Sequence, residues 1–109
     1  MEKREALYAI QRALHFGVLA KSLHARERMI ERKFSDQDLV RGLFGGAMIE
    51  GPTKLKGMNG FACVMRIRLD DERWLKIPII VDIDANRIFI KTVVFEGRKP
   101  KKAKKRGTR

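Results

Sequence analysis

The chain has one cysteine, two histidines, one tryptophan, one tyrosine and three prolines in 109 residues, and each scarcity excludes something. A single Cys63 can close no internal disulfide, which suits a reducing compartment. It stands in an alternating apolar run, where buried filler is the expectation and a nucleophile the alternative. So few histidines and cysteines give no cluster with metal-ligand spacing, so neither a structural zinc nor any other cofactor is expected. Gly42, Gly45 and Gly46 follow no predicted strand and precede no Gly-Lys-Ser/Thr, so they form no phosphate loop. No stretch stays apolar long enough to cross a bilayer. The opening MEKREALYAIQR is broken by charge within a dozen residues and does not read as a secretory signal. No lipidation signature is present either. These absences predict a cytoplasmic protein with no membrane partner.

Acid is missing from one place in particular. Residues 97–109, GRKPKKAKKRGTR, hold eight Lys or Arg and no Asp or Glu. The net charge is +12, from 25 basic and 13 acidic groups, so two thirds of the excess lies in this segment. It has no apolar content to bury and is expected to be a disordered tail, with residues 1–96 as a single domain. Neutralising phosphates releases counterions, so a polyanion, RNA above all, is the expected partner of Lys99, Lys101, Lys102, Lys104, Lys105 and Arg106.

What is present divides into helices first and strands afterwards. Residues 2–15 carry Leu7, Ile10 and Leu14 at helical spacing. Gly17 ends this helix, and 16–20 reads as a short strand. Ser22 can cap a helix over 23–33, with Leu23, Met29 and Ile30 as its core face. Arg26 has two readings, its stem packed on that side with its head in water, or its head reaching the site that the Arg residues of this helix would form. Ser35 and Asp38 form a capping box for a helix over 36–44, closed by Gly45 and Gly46.

After Gly46 the period becomes two. Residues 47–50 read as a brief strand stopped by Gly51-Pro52, and 53–60 as a loop with an Asn59-Gly60 turn. Strands follow from Phe61, over 74–83 and over 87–96, joined by short turns. The predicted fold is α+β: N-terminal helices packed on one face of a mainly antiparallel sheet of three or four strands.

Alternation then assigns the faces. If the aliphatic set of the second long strand faces the helices, Arg66, Arg68, Trp74 and Lys76 face away. On the last strand Phe89, Lys91, Val93 and Phe95 form the set expected to join them. Basic groups among aromatics can hold phosphates and stack unpaired bases, the alternative being a second small core. Pro78 cannot donate to a ladder, so its strand is expected to be an edge or bulged there.

On the helix over 23–33, His24, Arg28 and Arg32 fall at i, i+4 and i+8 and make one stripe. The run His24, Ala25, Arg28, Met29, Arg32, then Ser35 and Asp38, resembles a family of small bacterial domains of unknown function marked by H-A-x-x-R-M-x-x-R. IFIKTVVF around Thr92 matches its closing strand. Lys33 departs from the pattern, which has Gly before the apolar turn residue. The resemblance covers roughly 22–95. The family in turn is similar to the barnase–colicin–RelE group, which places helices before a four-stranded antiparallel sheet.

That likeness implies a RelE-like fold and a toxin-type endoribonuclease without metal, in which the ribose 2′-OH attacks its own phosphodiester. It also implies partners: RNA, free or ribosome-associated, and an antitoxin protein. Such chemistry needs a proton carrier and cations on the phosphorane. His24 is the side-chain type that titrates near neutrality, Arg28, Arg32 and Lys91 can clamp phosphate, and Thr92 matches the family's strand threonine. By alternation Thr92 points away from Lys91, so both reach one site only if the strand bulges. The bland reading stands beside this. His24 can bond a backbone carbonyl while Arg28 and Arg32 pair with Glu27, Glu31 or Asp38, and His15 can sit at its helix's negative pole. The alternatives to an RNase are a non-catalytic nucleic-acid-binding module and a protein-docking domain.

Overall fold

Three helices come first, each placed by its ends. The computed structural model describes residues 1–96, so the expectations on the basic tail fall outside the described residues. Helix α1, Lys3–Phe16, starts in a capping box in which the Glu2 N–H donates to Glu5 at 2.9 Å. At its exit a Cβ on Gly17 would collide with the Asn86 carbonyl oxygen, so the residue must be glycine. The next N–H, from Val18, donates to that same oxygen at 3.1 Å and starts strand β1, Val18–Lys21.

Helix α2, Leu23–Glu31, begins where the Ser22 hydroxyl accepts the Ala25 N–H at 3.0 Å. It closes with Phe34 N–H donating to Met29 at 3.1 Å and Lys33 N–H to Ile30 at 3.2 Å. This closure requires a left-handed residue just past the cap, and Lys33 supplies it at φ 58°. Helix α3, Asp36–Gly45, shows the expected reciprocal box between Ser35 and Asp38, at 3.1 and 2.9 Å.

The strands are β2 (Ala47–Lys54), β3 (Gly60–Arg68), β4 (Trp74–Asp82), β5 (Arg87–Ile90) and β6 (Val94–Phe95). Their order is β1-β5-β4-β3-β2, with β6 beside β4 beyond the end of β5. The class is α+β as expected, but the sheet has more strands than predicted and is mixed, because β1 runs parallel to β5. A four-residue strand gives no local sign of its partner, since a parallel neighbour is reached only through a long crossover. The stretch 53–60 is not all loop: β2 continues through Gly51-Pro52 to Lys54, with two register shifts against β3 absorbing the break.

All three helices cover one face of the sheet, and among the described residues nothing covers the other. Cys63, Met65, Ile67, Leu75, Ile77, Ile79, Val81, Ile88 and Ile90 are buried under them, as alternation predicts. No polar residue is buried among the described residues. The helix faces differ in part from expectation. In α1 the buried line is Ala6, Ile10 and Ala13, with Leu7 and Leu14 packed at its flanks. In α2 only Ala25 and Met29 are buried, while Leu23 and Ile30 are 70% and 78% exposed. Small Ala25 lets the helix lie close to the sheet, and nine residues are too few for composition to fix the rotation. Arg26 is exposed beside Met29, Ile30 and Phe34 rather than laid on the core.

Pro78 produces the largest departure. Its register against β3 is unbroken, so it lies inside the sheet rather than at an edge. On the other side Lys91 N–H donates to the Pro78 carbonyl at 3.3 Å, and the return bond to the Lys91 carbonyl cannot form because proline has no N–H. The ladder ends there. It resumes one residue out of step, with Val94 opposite Lys76 and Phe95 opposite Leu75. Residues 87–96 are therefore not one strand. The shift sends Val93 into the core and turns Phe95 to the helix side, so neither joins the open face as alternation alone predicted.

Candidate functional site

The carbonyl that Pro78 leaves free is taken by α2. The Ser22 hydroxyl donates to the Lys91 carbonyl at 2.7 Å, and the Ser22 N–H to the Ile90 carbonyl at 3.1 Å. One hydroxyl thus caps α2 and pins its first turn to the end of β5. At the other end of the helix the Arg32 guanidinium stands 4.5 Å from the centre of the Phe95 ring. The ten steps from Ser22 to Arg32 rise about 15 Å at helical pitch, and extended chain from 91 to 95 advances roughly 13 Å. The two segments therefore run side by side, and the stripe of His24, Arg28 and Arg32 belongs to the helix that borders 91–95.

The charges along this border are unevenly matched. His24 is exposed and has no hydrogen bond or ion pair among the described residues, so the carbonyl contact of the bland reading is not made. Arg28 lies 3.7 Å from Glu31, a loose pair between half-exposed side chains. Arg32 has the Phe95 ring rather than a carboxylate, and Asp38 pairs with Arg41 instead, at 3.2 Å. Lys91 is exposed and keeps the parity of Phe89, so it stands where this border meets the open sheet face. Thr92 is half-buried in the break between β5 and β6.

Acid gathers at the Phe95 end. Asp70, Asp71, Glu72 and Arg73 line a shallow depression against that ring. Arg73 donates to Asp70 at 2.7 Å and also to the Arg32 carbonyl, holding the end of α2 to the β3–β4 turn. The Arg73 side chain and the Glu72 N–H keep the Asp70 carboxyl below the usual range. Lys91 thus stands without a carboxylate partner among the described residues at one end of this border, and charge is mixed at the other. Arg73 was not singled out from the sequence, where only its three-residue spacing from Asp70 hints at a pairing.

Arg66, Arg68, Trp74, Lys76 and Phe89 do share the open face, as predicted. Two of these cations are already matched. Arg66 makes a two-pronged pair with Glu96 at 3.0 and 3.2 Å. Arg68 bonds Asp71 at 2.7 Å, with its guanidinium 5.9 Å from the Trp74 ring centre. Between them and the β4–β5 turn the face is apolar, through Ala62, Val64, Pro78 and Ile80. His15 lies against Phe44, with ring centres 5.2 Å apart, far from this site in the chain. Burial pushes the Cys63 thiol up to about 12, so it stays protonated and is no nucleophile. Among the described residues no group of three His, Cys, Asp or Glu could hold a metal. No described helix is long and apolar enough to cross a membrane.

These features define a small α+β domain in which a capped, arginine-bearing helix is pinned beside a broken sheet strand. Residues 22–95 match the model of the family described as domain of unknown function (DUF4258), and the chain belongs to that family. The match begins at the serine that ties α2 to Lys91 and ends at the ring beneath Arg32, leaving α1 and β1 outside it. No curated protein and no solved structure matches the chain.

Proposed function

We propose that the groove between α2 and residues 91–95 acts on RNA as a metal-independent endoribonuclease, of the kind found in the barnase–colicin–RelE group. The observation that carries this reading is the alignment of the His24–Arg28–Arg32 helix with the strand break that holds Lys91 and Thr92. A scissile phosphate lodged there meets cations on two sides, with His24 and Lys91 uncompensated by any carboxylate among the described residues. In the reaction the ribose 2′-oxygen bonds to phosphorus, the P–O5′ bond breaks, and a 2′,3′-cyclic phosphate and a 5′-hydroxyl result. His24 carries protons between the two oxygens. Arg28, Arg32 and Lys91 neutralise the phosphorane, with Thr92 as a hydroxyl donor at the break.

One observation favours a second reading, binding without cleavage. Among the described residues no group hydrogen-bonds the His24 ring, whereas a general base is ordinarily held by a partner. The two readings separate in an RNA cleavage assay in EDTA, with and without ribosomes, scored for cyclic-phosphate ends. Under the RNase reading His24→Ala and Arg28→Ala each lower the rate by about 10²-fold or more while melting like the wild type. RNA binding with no cyclic ends from the wild type under either condition leaves the binding module.

A further inference from the structure

The open face of the sheet carries a pocket apart from the α2 groove. The register places Ala62, Ile80, Phe89 and Ala20 in one row across β3, β4, β5 and β1, an apolar floor. In the next row lie Gly60, Asp82 and Arg87. Gly60 is bare because a Cβ there would collide with the Val81 carbonyl oxygen, and the methyl of Met58, from the β2–β3 loop, comes within 2.8 Å of the same point. Met58, Ile80, Asp82, Arg87 and Phe89 line an open depression of about 250 Å³. That is below the roughly 300–1,000 Å³ of sites for drug-sized ligands, and it suits one ring system.

Its two charged residues stand directly opposite each other on β4 and β5. Opposite charges at such positions ordinarily pair, yet no ion pair joins Asp82 to Arg87. One Asp82 oxygen, Oδ1, accepts the Ala85 N–H at 3.0 Å. The other oxygen and the Arg87 guanidinium have no hydrogen bond among the described residues. The pocket therefore offers an apolar, aromatic floor with a pure acceptor and a pure donor at its rim.

We infer that this pocket binds an unpaired guanine base, which deepens the reading of the chain as RNA-acting and rests on it. Guanine alone carries two adjacent donors, N1–H and the N2 amino group, on one edge, matched to a carboxylate. Its O6 and N7 acceptors on the other side match a guanidinium. Adenine would turn the lone pair of its N1 toward Asp82, and uracil would place carbonyls on both sides of its single N–H. The base stacks on Phe89 with Met58 as a wall. Lys91 lies two residues beyond Phe89, just past the end of β5 and about 7 Å away, where the phosphate of the next nucleotide passes toward α2.

The test measures binding of AAGAA, AAIAA and AAAAA pentaribonucleotides, with inosine lacking the N2 amino group, and separately of 5′-GMP and 5′-AMP. The expected order is guanine, then inosine, then adenine, with guanine over adenine by about 5- to 150-fold. Asp82→Asn keeps an oxygen for the Ala85 N–H, so the turn survives, and it abolishes the preference. Phe89→Ala weakens all three pentamers, with thermal melting checking the fold. A pentamer that binds much tighter than GMP assigns the site to RNA, and equal affinities assign it to free nucleotide; both retain the guanine pocket. Equal binding of AAGAA and AAAAA, a preference unchanged by Asp82→Asn, or no binding of any probe overturns the pocket. Cleavage lost in the His24 and Arg28 variants but indifferent to base would sink the pocket alone. A guanine preference without cleavage would sink the RNase reading alone.

Discussion

Lys33 occupies a backbone conformation that costs an L-residue about 1–2 kcal/mol, at φ 58°. Two backbone bonds closing α2 hold it there, and the buried side chains of Met29 and Phe34 lock the closure. Lys33→Gly removes the steric cost while adding about 0.5–1 kcal/mol of backbone entropy. The expected result is a gain of about 0.5–1 kcal/mol, seen as a melting temperature higher by roughly 3–6 °C. This position was legible, because the resemblance already placed a glycine there and the backbone explains why. The partners of Arg66 and Arg68 were not. Glu96 and Asp71 reach them through register and turn geometry that residue type alone does not encode.

At the scale of the element, the two capping serines differ in what else they hold. The Ser22 hydroxyl accepts from Ala25 and donates to Lys91, whereas the Ser35 hydroxyl serves α3 alone. Ser22→Ala is expected to cost about 1–3 kcal/mol from the lost cap and the orphaned carbonyl. It also loosens the groove, lowering RNA cleavage or binding beyond what stability explains. Ser35→Ala is expected to cost about 1 kcal/mol with activity unchanged. Urea melts beside activity measurements check the pair, and equal activity in both variants would separate the α2 tether from function. Both caps were readable from short motifs. The rotation of α2 was not, because Leu23 and Ile30 face water and small Ala25 faces the sheet.

Over the whole molecule, charge is divided between a nearly balanced body and residues 97–109, which hold eight of the 25 basic groups. Each phosphate contact on a single strand contributes about 0.7 to the slope of log affinity against log salt. Removing 97–109 is expected to lower that slope by several units while leaving the order of base preference unchanged. Titration of RNA binding at several salt concentrations checks this, and an unchanged slope would assign the electrostatics to the folded body.

The sequence by itself determined the α+β class, the helix caps, the alternation of β3 and β4, and which stripe of α2 carries His24, Arg28 and Arg32. Each rests on contacts within a few residues or on the strict period of two. Only the tertiary structure decided where the last strand breaks, because its cause, Pro78, lies on the neighbouring strand and acts through a bond that cannot form. That break turned Phe95 under Arg32, moved Val93 into the core and freed the carbonyl that anchors α2. The parallel pairing of β1 with β5, and the approach of Met58 to the Asp82–Arg87 turn, likewise join segments far apart in the chain. Spacing along the chain does not specify that kind of contact.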